Sequence, residues 1–271
     1  TGAGRGIGRV IAEEFAREGS TLALISRTRV ELEETLELVR NWSKESFSEV
    51  CDISDPGAVK QLVRLVTDRF GRIDILVNNA GVQSPIGSFA AAPLEAWKRA
   101  FEVNLFGTAN MTHAVLPCMM QQRSGKIINL SGGGATSARP NFSAYGVSKT
   151  AIVRFTETVA AEVRQFHVDV NAVAPGVIKT RMLEEILQAG ADAGDELAAA
   201  KKCNESGGED PRIAAALIAF LASDYADGIT GKLISALWDP WREVGFQKAL
   251  REDGNLATLR RIDEKHFGTK R

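Results

Sequence analysis

Thr1-Gly2-Ala3-Gly4-Arg5-Gly6-Ile7-Gly8 opens the chain, with glycine at every second position from Gly2 to Gly8. Ile7, Val10, Ile11 and Phe15 then recur at the spacing of one helix face, so a helix is predicted over 5–17. Glycines at a helix start let backbone amides approach an anion closely. The free N–H groups and partial positive charge of the helix N-terminus stabilise it there. The stretch therefore reads as a turn for a pyrophosphate, with tight packing of helix on strand as the other reason for such a run. The residues downstream decide between the two.

Outward from this turn, a short apolar run at 21–25 follows the helix, and helix and strand patterns then alternate. Helices are predicted at 30–40, 56–70, 93–120 and 143–164, and strands at 47–51, 73–77, 126–130 and 168–174. Gly19, Gly71 and Gly125 fall at or near helix ends, where a left-handed cap suits glycine. Apolar strands separated by helices need crossover connections, and these build a parallel sheet covered by helices on both faces. The fold class is accordingly α/β, a Rossmann-type doubly wound parallel sheet. In such folds the glycine-rich turn joins the first strand to the first helix, so a first strand is expected ahead of Thr1. Past Thr180 regularity loosens. Residues 182–187 read as helix, 189–200 are alanine-rich and 205–210 are polar with glycine, which predicts a flap over 181–210. A helix at 211–222 and a strand at 232–235 follow. One domain is expected over 1–236, with a helical tail over 237–271 packed on it or on a neighbouring subunit.

The 271 residues carry 33 Lys+Arg against 34 Asp+Glu, a net charge of −1, with the two signs interleaved. Such a chain offers no long-range field to draw in nucleic acid or an anionic membrane. Cys51, Cys118 and Cys203 are odd in number and far apart, and His113, His167 and His266 each stand alone. Neither a disulfide framework nor a metal site is predicted. No apolar run reaches bilayer length and no secretory leader pattern is found, so the expected location is the cytoplasm.

The apolar run at 21–25 is followed by Ser26-Arg27, where NAD-binding folds usually place an acid for the ribose hydroxyls. No carboxylate stands there to repel a phosphate. With Arg5 in the glycine loop, two guanidiniums are placed to clamp a 2′-phosphate, so NADPH is expected over NADH. Ordinary surface arginines are the plainer reading of the same residues.

Further motifs come in order: Asp52-Ile53, Asn78-Asn79-Ala80-Gly81, Asn104, Tyr145-x-x-x-Lys149, and Asn171-Ala172-Val173-Ala174-Pro175-Gly176 running on to Thr180. Each alone is weak, and Tyr-x-x-x-Lys is very weak. In this order and spacing, to about Ser235, the chain resembles the classical short-chain dehydrogenase/reductase family. The resemblance implies a nicotinamide-dependent oxidoreductase that interconverts a small-molecule carbonyl and a secondary alcohol. It places Gly2, Gly6 and Ile7 in the pyrophosphate turn with Arg5 and Arg27 at the adenosine end, and Asp52 and Ile53 beside the adenine. Asn79, Ala80 and Gly81 would line the adenosine ribose, and Pro175, Gly176, Ile178 and Thr180 would wrap the nicotinamide. A helix over 143–164 sets Tyr145 and Lys149 one turn apart on one face. A phenol ordinarily ionises near pH ~10, and a nearby ammonium and an oxidised nicotinamide both favour phenolate, so the Tyr145 pKa is expected to fall toward neutrality. In the family pattern Tyr145 exchanges a proton with substrate oxygen, Lys149 tunes it and holds the nicotinamide ribose, and Asn104 holds a water in the proton relay. Helices at 93–120 and 143–164 would pair subunits into a homodimer or homotetramer.

One position departs from that pattern. The family usually carries serine thirteen residues before the tyrosine, and here that residue is Gly132, with Ser131 one place early. Successive residues leaving a strand point to opposite sides, so Ser131 is expected to face away. Three accounts stand: Ser131, Thr136 or Ser137 swings in; glycine amides or a substrate hydroxyl replace the serine, with Gly132 making room for a bulky or hydroxylated substrate; or catalysis is lost. The last would make the chain a catalytically silent NADP-binding sensor or scaffold. Positions 83–89, 132–134, 142 and 182–208 would face substrate, and they name no substrate. Trp238 and Trp241 are expected to pack against the flap or a neighbouring subunit.

Overall fold

The computed structural model describes residues 1–261; the remainder of the expected tail, 262–271, lies outside the described residues. The order is α1 (Gly6–Arg17), β1 (Ala23–Ser26), α2 (Arg29–Arg40), β2 (Phe47–Val50), α3 (Pro56–Phe70), β3 (Ile75–Asn78) and α4 (Leu94–Phe101). It continues with α5 (Gly107–Gln122), β4 (Gly125–Leu130), α6 (Ser143–Val163), β5 (Val168–Ala174), α7 (Arg181–Ala189), α8 (Glu196–Ser206), α9 (Pro211–Ala222), β6 (Leu233–Ser235) and α10 (Val244–Glu252). Local chemistry sets several bounds. Asp55 caps α3 by accepting from the amides of Gly57 and Ala58, Pro56 takes the first helical position, and Gly71 closes the helix at φ 73°.

Every strand pair is parallel, β1 with β2 and β3-β4-β5-β6 in order, with helices on both faces. β4 shows why. Ile128 and Leu130 point into one core with Ile11 and Phe15 of α1 and Leu217 and Ile218 of α9. Ile127 points the other way, into a core with Val59 and Leu62 of α3, Met111 and Val115 of α5, and Val159 of α6. A strand buried on both faces reads as a continuous apolar run rather than an alternation. Shortening Ile127, wholly buried, to Ala is expected to cost ~2–5 kcal/mol.

Among the described residues β1-β2 and β3-β4-β5-β6 form two hydrogen-bonded groups, and β1 does not pair with β3. A cavity of about 540 Å³ lies there, lined by Thr21 to Ile25 on one side and Ile73 to Val77 on the other. The first residues reach across it: the Thr1 nitrogen donates to the Val77 carbonyl at 2.8 Å and the Ala3 amide to the Ile25 carbonyl at 3.1 Å. The helix expected over 93–120 is also not continuous. A π-turn over Glu102–Phe106 separates α4 from α5, and it carries Asn104. Such turns occur often at functional sites because they re-aim a side chain out of the helical register.

In the tail, Trp241 is buried, packs on Phe220 and donates from Nε1 to the Ala236 carbonyl at 3.1 Å. Trp238 is 85% exposed on the single chain and does not pack against the flap. No described helix is long and apolar enough to cross a membrane.

Candidate active site

The C-terminal ends of β1 and β3 and the start of α1 enclose a cleft of about 220 Å³. Open α/β sheets bind ligands at this end of their strands, and the α1 N-terminus favours negative charge there. The glycines are needed for two different reasons. Gly2, at φ +64°, has no space for a side chain: a Cβ would lie 2.9 Å from the Ala80 Cα. Gly6, at φ +54°, faces open cleft, its nearest neighbour being Thr180 at 3.6 Å. That cradle fits the diphosphate of a dinucleotide. Asn79 ties it down, donating from Nδ2 to the carbonyls of Thr1 and Gly2 at 2.9 and 3.2 Å.

The end of the cleft beside β1 and α2 is charged. Arg27 stands 4.0 Å from Asp52, which also pairs with Arg99 at 3.0 Å. Burial pushes the Asp52 carboxyl up, but the hydroxyl and amide of Ser54, with Arg99 and Arg27, hold it below the usual carboxylate range. Arg5 pairs with Glu31 at 2.7 Å. Glu31, which sequence reasoning missed, lines the same cleft from α2. Gly2, Arg5, Gly6, Ile7, Arg27, Asp52, Ile53, Asn79, Ala80, Gly81 and Thr180 all line it, whereas Lys149, Pro175, Gly176 and Ile178 do not. Lys149 still adjoins it, since a Cβ on Gly81 would lie 3.5 Å from Nζ. Gly176 packs against Leu237, and Ile178 bridges to Gly208 of the flap.

Beyond Gly81 the site is built of buried side chains. Tyr145, Lys149 and Asn104 are 8%, 4% and 0% exposed. Asn104 accepts from the Val82 amide and donates to the Val82 carbonyl, both at 2.8 Å, and donates to Ser148 Oγ at 2.9 Å. The Ser148 hydroxyl in turn donates to the Tyr145 carbonyl at 2.8 Å. Ser148 was not foreseen, although its place between Tyr145 and Lys149 on α6 was the signal that could have found it. Lys149 Nζ donates to the Leu130 carbonyl at 2.7 Å and lies 5.6 Å from the Tyr145 ring centre. Burial lowers the Lys149 pKa to about 8. In the chain by itself the Tyr145 pKa is raised: burial raises it, the Arg139 charge opposes that and Glu196 adds to it. The cause is the flap, which packs Leu183, Ile186 and Cys203 against Tyr145 and Phe142 and is pinned where Gln83 Nε2 donates to the Met182 carbonyl.

Gly132 is filled from an unexpected side. A Cβ there would collide with the Tyr145 hydroxyl oxygen and lie 3.1 Å from Cζ, so the phenol itself occupies the space a side chain would take. Thr136 and Ser137 are exposed, and the Ser131 hydroxyl is buried without a hydrogen-bond partner in the structure. None of the three stands in for the missing serine here.

A family model described as enoyl-(acyl carrier protein) reductase matches residues 2–236. The Caenorhabditis elegans dehydrogenase/reductase SDR family member 4 is 33% identical over 235 residues, 86% of this chain and 90% of that one. The chain belongs to the short-chain dehydrogenase/reductase family. The family is one of NAD(P)-dependent oxidoreductases, and this member is such an enzyme. The 3-oxoacyl-(acyl-carrier-protein) reductase FabG of Thermotoga maritima is 32% identical, with 86% of this chain and 93% of that one covered. Among solved structures, an NAD+-bound xylitol dehydrogenase superposes with TM-score 0.81 at 29% identity, covering 86% of this chain and 94% of its own. An actinorhodin polyketide ketoreductase with NADPH does so with TM-score 0.80 at 28% identity, covering 86% and 92%. In this short-chain dehydrogenase/reductase, Asn104 and Lys149 adjoin the cleft at Gly81, and the Tyr145 ring centre lies 5.6 Å from Lys149 Nζ.

Proposed function

We propose that this enzyme reduces a ketone or aldehyde, or oxidises the matching secondary alcohol, with NADP(H) as its preferred cofactor and Tyr145 as its proton-exchanging residue. The observation that carries the reading is the meeting of Lys149 and Asn104 beside Gly81 at the end of a glycine-built cleft, with the Tyr145 ring centre 5.6 Å from Lys149 Nζ. When bound, the nicotinamide supplies or accepts hydride at the reacting carbon. Tyr145 gives a proton to the carbonyl oxygen or takes one from the alcohol. Its raised pKa keeps it protonated at neutral pH, which suits reduction. Lys149, held near its own ionisation, contacts the nicotinamide ribose and favours phenolate after the proton has left. Asn104 fixes the loop after β3 at Val82 and, through Ser148, the backbone of Tyr145; its place beside the cluster supports the role of anchoring a water in the proton relay. Gly2, Gly6 and Ile7 hold the pyrophosphate, Asp52, Ile53, Asn79, Ala80 and Gly81 the adenosine, and Pro175, Gly176, Ile178 and Thr180 the nicotinamide.

The preference for NADP(H) is supported by Arg5 and Arg27 at the rim, by the lack of a carboxylate directly after β1, and by the pairing that neutralises Glu31. The ketoreductase with NADPH and the NADP-bound ElxO structure, 27% identical with TM-score 0.77, point the same way. Phe106 and Val147, exposed on the π-turn and α6, support pairing of subunits through these helices. Steady-state oxidation of NADPH and NADH over a broad carbonyl panel tests the reading. Turnover is expected with kcat/KM higher for NADPH by about tenfold or more. Tight NADPH binding with no turnover across the panel would overturn it in favour of a silent binder.

A further inference from the structure

Arg139 lies between the catalytic helix and the flap and has no part in the roles given above. Its Nε and Nη2 donate to Oε1 and Oε2 of Glu196, each at 2.6 Å, so a two-pronged ion pair joins the loop ahead of α6 to α8. The arginine side chain is 14% exposed, well sheltered from water. The same guanidinium stands 4.1 Å over the Phe142 ring and 5.4 Å from the Tyr145 ring centre. Glycines make the space. A Cβ on Gly133 would lie 3.7 Å from the guanidinium carbon, and one on Gly134 would lie 3.1 Å from Arg139 Cβ. Gly132 leaves the notch that the Tyr145 hydroxyl fills. The three glycines thus shape one seat for the phenol oxygen and another for the cation over its ring. A planar guanidinium that stacks on aromatic faces and is forked onto a carboxylate has few other positions to take.

We propose that Arg139 is a positioning residue for the proton donor: fastened by Glu196 of the flap, it holds Tyr145 in the notch at Gly132, so that flap closure and placement of the phenol are one event. The proposal rests on the reading of Tyr145 as the proton-exchanging group. The charges that face Tyr145 are Arg139 from the loop, Glu196 from α8 and Lys149 from its own helix; α7 presents Leu183 and Ile186, and Cys203 of α8 is the other titratable group in the same cluster. Arg139 favours the phenolate and Glu196 opposes it. Two cuts of one ion pair therefore act on Tyr145 with opposite sign, which loss of a merely structural latch would not do.

The chain has two tyrosines, and the other, Tyr225, is 83% exposed. In a Tyr225→Phe background the ionisation of Tyr145 is read directly in the full chain by ultraviolet difference absorbance, with no substrate or cofactor. Arg139→Gln is expected to move the midpoint up and Glu196→Gln to move it down, with the double variant between them. Arg139→Lys guards against a failure to fold: its charge keeps the midpoint near the parent's, while loss of the fork lowers kcat. Both single variants shifting the same way, or neither shifting, would overturn the proposal. Because the titration needs no turnover, opposed shifts in a chain that reduces no carbonyl would refute the proposed reaction alone.

Discussion

The cleft at the start of α1 is made of backbone. Its glycines leave the backbone open at the helix start, and its charged groups, Arg5, Arg27 and Asp52, stand at a wet rim. The pocket around Tyr145 is made of side chains, nearly all buried, roofed by the flap and closed by contacts between residues far apart in the chain, such as Gln83 with Met182 and Arg139 with Glu196. The difference teaches where each half is vulnerable. A backbone-built site fails when a Cβ is added, and tolerates changes at its rim as modest losses of affinity. A buried pocket responds to any shift of one side chain against another, because its charges are poorly screened.

The largest effect that would sharpen this contrast is expected at Gly132. A methyl group there must displace the Tyr145 hydroxyl, so Gly132→Ala should lower kcat by about 10²–10³, the scale of losing one aligned hydrogen-bonding group at a reaction centre, while NADPH affinity stays. Equal turnover in the variant would show that the phenol moves freely and that the pocket is less tightly built than described.

The pH dimension comes next. Burial lowers the folded-state pKa of Lys149 to about 8 from its ordinary 10.5. Between those values the unfolded chain keeps a proton that the folded one has released, so this group makes stability climb with pH. At about 1.4 kcal/mol per pH unit the climb amounts to about 3 kcal/mol across the window. Urea unfolding of the cofactor-free chain near pH ~7.5 and ~10 should show that rise, and Lys149→Met should lack it. A rise of the same size in both proteins would mean that Lys149 is not desolvated in the folded state. The smallest effect belongs to the rim, where Arg27→Asp should weaken NADPH by about tenfold, with NADH little changed. Fluorescence titration of both cofactors checks it, and an unchanged ratio would break the assignment of Arg27 to the 2′-phosphate.

Most of the cleft was legible in the sequence because its requirements are local: a glycine run, a helix start and strand ends that carry Asp52 and Asn79. Tyr145 and Lys149 were legible for the same reason, being one helical turn apart. What stayed hidden depends on distant parts of the chain. Glu31 reaches the cleft only because α2 folds back beside Arg5, and the raised pKa of Tyr145 follows from a flap that packs over it from the far side of β5 in sequence. The π-turn at Asn104 is local but leaves no mark, since the apolar spacing of α4 and α5 reads as one helix across it. Trp241 finds Phe220 within the chain, whereas Trp238 is exposed on it, a difference that depends on the distant residues each meets and not on composition.

The central claim is that the buried phenol of Tyr145 carries the proton while the glycine cleft binds the cofactor independently of it. Turnover of a responsive carbonyl and binding of NADPH, measured side by side for the parent and Tyr145→Phe, test this most directly. The account predicts a loss of turnover of about 10²–10⁴ with the NADPH dissociation constant unchanged. Turnover kept within a few-fold of the parent would contradict it.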